Sequence, residues 1–181
     1  MPVAKQVADL ITLTRGLLLV VYSWLGIVHG AATLPLAALM LVYSWTSDVM
    51  DGSIARRSRV YYHTWLGDHD LEVDMAVAAG VLLYLLTAGF ISLPLGAAYA
   101  LIWVFIFWHW GFYRALGMLF QAPLYLALIW ISLRDEFYYG VIQVVWILVA
   151  LVLTWPRFPQ EVVPGFINGF KAVSGRKRKK S

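Results

Sequence analysis

Six long apolar stretches, at about residues 10–29, 34–50, 71–91, 95–113, 117–133 and 138–155, occupy most of this 181-residue chain. Each approaches the roughly 20 residues that a helix needs to cross the hydrocarbon core of a bilayer. With 61% of its residues hydrophobic and a mean hydropathy of +0.74, the chain carries far more apolar surface than a soluble domain of this size can bury. Gly30, Pro35, Gly89, Pro94, Gly140 and Pro156 fall at the joints. Pro123 lies inside the fifth stretch, where a missing N–H is expected to kink a helix. Nine Trp and ten Tyr suit a protein with two membrane interfaces. The expected fold is therefore all-α: an integral membrane protein with six transmembrane helices.

The basic residues orient these spans. If all six cross, thirteen of the fourteen Lys and Arg fall on the side that holds both termini, and Arg134 alone falls on the other. The positive-inside rule then places both termini in the cytoplasm, in a cytoplasmic (inner) membrane. The net charge of +4 reads as a topology signal, with no nucleic-acid partner expected. Residues 1–155 form one membrane domain. Residues 156–181 begin with Pro156, Pro159 and Pro164 among aromatics, which predicts a segment lying along the membrane surface, and end in the basic tail Arg176–Lys180. The absence of Cys excludes disulfides and thiolate chemistry. Gly30-Ala31-Ala32 has the small residues of a cleavage site, but the first stretch carries polar residues that fit the site described next, so it is read as a span.

Where the second stretch runs out stands Asp48-Val49-Met50-Asp51-Gly52-Ser53-Ile54-Ala55-Arg56, and Asp70 and Asp74 open the third. Helical spacing puts Asp48 and Asp51 on one face, and likewise Asp70 and Asp74. Consecutive spans are expected to be antiparallel neighbours, so the two pairs meet at the cytoplasmic mouth. Acidic residues at a helix N-terminus merely complement its dipole, but Asp48 and Asp51 are expected at a C-terminal end, where carboxylates are disfavoured. Four carboxylates near a membrane are costly unless they serve a function. Divalent cations relieve their repulsion, and oxygen-only ligands favour Mg²⁺ or Mn²⁺. Gly52 leaves the backbone open to a ligand, Ala55 is small, and Arg56 can clamp a phosphate. Metal, arginine and bare backbone together describe a diphosphate site, and a carboxylate left free of metal can act as general base.

This pattern, Asp-x-x-Asp-Gly-x-x-Ala-Arg followed by Asp-x-x-x-Asp, resembles that of the CDP-alcohol phosphotransferase family. Asp48, Asp51, Gly52, Ala55 and Arg56 match every fixed position of the first half. The second half departs: Trp65 stands where the family has glycine, Gly67 follows two places later, and the interval from Arg56 to Asp70 is one residue longer. Asp9-x-x-Thr12-x-x-Arg15 looks like the family's Asn-x-x-Thr-x-x-Arg opening, with Asp for Asn. The resemblance covers the first three stretches and implies a phospholipid-synthesis transferase. Such enzymes bind a CDP-linked lipid donor, commonly CDP-diacylglycerol, with two divalent metals; a small alcohol attacks the lipid-bearing phosphorus, and CMP leaves. It implies that Asp48, Asp51 and Asp70 hold metal, and that Asp74 shares a metal and acts as base. Gly52, Ala55 and Arg56 would hold the CDP moiety, with Thr12 assisting and Gly67 contributing if the loop bulges. Members of the family are usually homodimers.

For the acceptor alcohol, the candidates lie at the cytoplasmic end of the fourth and fifth stretches. His109 and Tyr113 are expected on one helical face, with Arg114 beside them and Gln121 across the turn. Arg114 offers a guanidinium to an acceptor phosphate. Two other readings compete. A divalent-cation carrier would use the same carboxylates, although a carrier should place polar groups near the midplane. An inactive relative would serve as a structural partner, although all four aspartates persist.

Overall fold

A computed structural model describes the backbone of residues 2–57 and 70–155, with Gln160 and Pro164; side chains are described for residues 14–49 and 71–155. Gly67 and nearly all of residues 156–181, with the expected surface segment and basic tail, lie outside the described residues. The described chain is all-helical. Six α-helices follow one another: α1 (Pro2–Val28), α2 (Leu34–Arg57), α3 (Asp70–Thr87), α4 (Leu93–Trp110), α5 (Arg114–Asp135) and α6 (Phe137–Leu153), with a 3₁₀ turn at Gly30–Thr33 between the first two.

The helices follow the six apolar stretches, with two instructive differences. The apolar run of the second stretch fades after Trp45, yet α2 continues to Arg57. Asp48 and Asp51 therefore lie within a helix, and the argument from a disfavoured C-terminal end does not apply to them. Helix formation depends on the backbone and tolerates the polar sequence that follows, whereas the apolar pattern registers only where apolar surroundings end. In the other case, α4 stops at Trp110, because Gly111 takes φ +86° and its N–H bonds back to the Phe107 carbonyl. Only glycine adopts that conformation without strain. Tyr113 precedes the first turn of α5 as its N-cap, so His109 and Tyr113 do not share a helical face.

α1 is the central element. It packs along α3 and also against α2, while α2 and α3 do not form a packed pair among the described residues. α5 packs on α3 and α6, and α6 returns to α2, which closes a ring of five helices. Leu25, Leu41, Val77, Val81, Leu85 and Leu128 are among the apolar side chains that fill it. Polar links cross the same interfaces: the Tyr22 hydroxyl donates to the Ala37 carbonyl at 2.9 Å, and the Gln143 amide to the Ala38 carbonyl at 3.3 Å.

Two helices, α4 and α5, are long and apolar enough to cross a membrane. α4 sits outside the ring, and only its Gly96 is buried. Its Leu101, Val104 and Phe105 face outward, and Trp108 is 89% exposed. A helix that is apolar all round and so little covered suits lipid rather than water.

α1 and α3 approach closely at Gly80. A Cβ there would stand 2.9 Å from the Leu19 Cα and 3.3 Å from the Tyr22 Cβ. Small residues permit such close helix contact in membranes. Backbone cannot yield as a side-chain tip can, so Gly80→Ala is expected to destabilise by about 1–3 kcal/mol. Thermal unfolding in detergent checks this as a melting temperature several degrees lower.

Candidate polar cavity among four helices

Arg15 is 1% exposed, and its position follows from α1's place between α2 and α3. Its guanidinium reaches Asp48 Oδ1 on α2 at 3.4 Å through Nη1, and pairs through Nη2 with Asp74 Oδ1 on α3. Two acidic residues from separate helices thus meet at one buried cation. The carboxylates differ in setting: the Asp48 side chain is 54% exposed and that of Asp74 is 28% exposed. In a low-dielectric interior an arginine of this kind is strongly unfavourable without opposed charge, so the ion pairs secure the α1–α2 and α1–α3 packing as well as the charges themselves. Thr14, next along α1, meets the Tyr43 hydroxyl of α2 at 2.9 Å and reinforces the first of these interfaces.

Arg15, Asp48 and Asp74 open on a cavity of about 80 Å³, completed by Ser44, Trp45, Gln121 and Tyr125. Four helices contribute: α1, α2, α3 and α5. Trp45 sets the wall, with its ring edge-on to Tyr125 (centroids 5.9 Å, 77°) and 5.5 Å from Trp146 of α6. The space is small and lined by charged groups, a carboxamide and hydroxyls. Beside the Trp45 and Tyr125 rings, these groups offer partners to a polar ligand that an apolar one would leave unsatisfied.

The expected residues fare differently. Asp48 and Asp74 come together through Arg15 of α1, the helix on which both α2 and α3 pack. Asp51 lies one turn beyond Asp48 on α2, and Asp70 is the first residue of α3, one turn before Asp74. Their side chains, with those of Thr12, Ala55 and Arg56, lie outside the described residues, and Gly52 is described only as backbone of α2. Among the described residues no group of three His, Cys, Asp or Glu side chains converges. The described donors are still chemically suited to a hard cation: they are carboxylate oxygens, and among the described residues no sulfur or imidazole lines the cavity.

The acceptor candidates separate. His109 is exposed, stacked on Phe105 (6.1 Å, 6°) and edge-on to Trp110 (4.5 Å), and Arg114 is exposed at the start of α5. Neither lines the cavity, whereas Gln121 does. Sequence reasoning gave Arg15 to topology and to the family-like opening, and did not single out Ser44, Trp45 or Tyr125. The available signal was spacing: Gln121 and Tyr125 share a face of α5, as Ser44 and Asp48 share a face of α2.

No protein family, no curated protein and no solved structure matches this chain.

Proposed function

We propose that this protein is a metal-dependent CDP-alcohol phosphotransferase of phospholipid synthesis, with six membrane spans, both termini cytoplasmic and the site facing the cytoplasm. It moves a phosphatidyl group from a CDP-linked donor, on the proposal CDP-diacylglycerol, to a small alcohol, and CMP leaves. The observation that carries this reading is the meeting of Asp48 and Asp74 at one cation, at the end of the bundle where the Asp51-Gly52-x-x-Ala55-Arg56 stretch continues α2.

On this reading Asp48, Asp51, Asp70 and Asp74 hold two divalent ions, Mg²⁺ or Mn²⁺. Those ions, when bound, would offset charge on the attacking and leaving oxygens. Arg56 binds the donor's diphosphate, and Gly52 and Ala55 let the nucleotide approach the backbone. Asp74, the less exposed carboxylate of the described pair, accepts the proton of the acceptor hydroxyl. Gln121 and Tyr125 orient that hydroxyl from α5. Since the cavity is small and Arg114 stands outside it, an unphosphorylated headgroup alcohol suits the site better than a phosphorylated one.

The test is CMP release from CDP-diacylglycerol by the purified protein with Mg²⁺ or Mn²⁺, across a panel of acceptor alcohols. Acceptor-dependent release supports the reading and names the acceptor; no release with any alcohol refutes it. Gln121→Leu is expected to raise the acceptor KM about tenfold, the scale of one lost hydrogen bond to a substrate hydroxyl, while leaving the donor KM unchanged. Equal change in both KM values would remove Gln121 from the acceptor site.

The cation-carrier reading has less support. The two carboxylates of the cavity, Asp48 and Asp74, lie near one end of the bundle. The polar groups deeper in it, Ser132 and Gln143, are neutral and fully buried.

A further inference from the structure

The geometry points to Arg15 as a resident counter-ion of the Asp48–Asp74 pair, which a divalent cation has to displace. This inference rests on the proposed metal site. A fully buried guanidinium stands against one oxygen of each carboxylate. Those carboxylates belong to different helices, each packed on α1, so Arg15 both links them and neutralises much of their charge in the protein without metal. A metal ion requires the same oxygens. It would also meet the repulsion of the guanidinium at close range, in surroundings where charge interactions are strong. Arg15 therefore lowers metal affinity while it keeps the carboxylates in place.

When a metal takes the carboxylates, the guanidinium is left beside the cavity that Gln121 and Tyr125 also line. Any anion entering with the metal then gains a partner. Arg15 in this role is a positioning residue that makes the metal and an anionic substrate favour each other's binding, since the coupling between two ligands is reciprocal.

The experiment is Mn²⁺ binding to the full-length protein in detergent, followed by electron paramagnetic resonance of the free ion, with no nucleotide and no turnover. Arg15→Gln is expected to bind Mn²⁺ at least about tenfold more tightly than the natural protein, as removal of one close positive charge predicts. Arg15→Lys, which keeps the charge, should stay within about threefold of the natural protein, the usual context scatter for a retained charge. A merely structural arginine predicts the reverse, because a disordered ligand set binds metal more weakly. If the natural protein binds Mn²⁺ and Arg15→Gln binds no more tightly, the counter-ion role is overturned and the metal site stands. If neither binds at millimolar Mn²⁺, the metal site fails and this inference with it. Should Arg15→Gln not fold, the Arg15 Nε–H resonance of the natural protein, assigned by its loss in Arg15→Lys, decides the question. A shift on addition of Mg²⁺ supports displacement, and an unmoved resonance under saturating Mg²⁺ overturns it.

Discussion

Asp74→Asn is expected to reduce acceptor-dependent CMP release about 10³-fold, within the span that general-base catalysis and metal binding supply. Asparagine matches the shape of aspartate, so the α1–α3 packing around Gly80 and Tyr22 survives. It cannot take a proton at neutral pH and is a poor ligand for Mg²⁺. The fold should persist because Arg15 keeps Asp48 as a partner. The assay is initial-rate CMP release with donor and acceptor both saturating, beside a size-exclusion profile that reports on folding. Retention of more than a tenth of the activity would remove Asp74 from the base role and from the metal set together. Asp48→Asn separates the two duties, since it is proposed to touch metal alone: its activity should recover in part at high Mg²⁺, and that of Asp74→Asn should not.

A second large effect is expected on stability. With EDTA present, Arg15→Gln should destabilise the protein by about 2–4 kcal/mol, somewhat below the range for breaking a fully buried ion pair. The reduction has a structural cause: Asp48 is about half exposed, so water shields part of the uncompensated charge. Two carboxylates then face each other across α1 without the cation that held them. Millimolar Mg²⁺ should restore more than half of the lost stability to the variant, by binding only the folded state. In the natural protein the same addition should raise the melting temperature less. Thermal unfolding of both proteins, with and without Mg²⁺, gives all four values, and an unchanged melting temperature on losing Arg15 would contradict the burial of its charge.

Much of the helical framework was legible in the sequence, because apolar run length maps directly onto helices that pack in an apolar setting. The ends were less legible. α2 outlasts its apolar run by a dozen residues, from Trp45 to Arg57, since a helix does not stop where its hydrophobic environment does. α4 ends at Gly111 while the aromatic pattern runs on through Phe112 and Tyr113, because a single left-handed glycine outweighs any periodicity. The carboxylates Asp48 and Asp74 were legible as partners. What linked them was not. Helical spacing tells which residues share a face, but gives no information about which helices are neighbours, and chain order pointed to α2 against α3. In the structure both pack on α1, and so Arg15, read from the sequence as a topology residue and as part of the family-like opening, joins the two carboxylates. Trp45 and Tyr125 escaped notice for a related reason: aromatic residues in apolar runs look like interfacial anchors until a cavity is seen beside them.

The position of Arg15 also bears on how such a chain is made. The first apolar stretch, about residues 10–29, is close to the roughly 20 residues that span a bilayer, and Arg15 lies within it. A charged arginine there makes it a weaker segment on its own. Both partners of that arginine lie downstream, Asp74 some sixty residues later in synthesis. The ion pairs of Arg15 with Asp48 and Asp74 are therefore complete only after the third helix has been synthesised. On the proposed six-span topology, integration of α1 is expected to draw on residues as far as Asp74, and a nascent chain stalled before Asp74 is expected to carry an α1 more exposed to extraction and degradation.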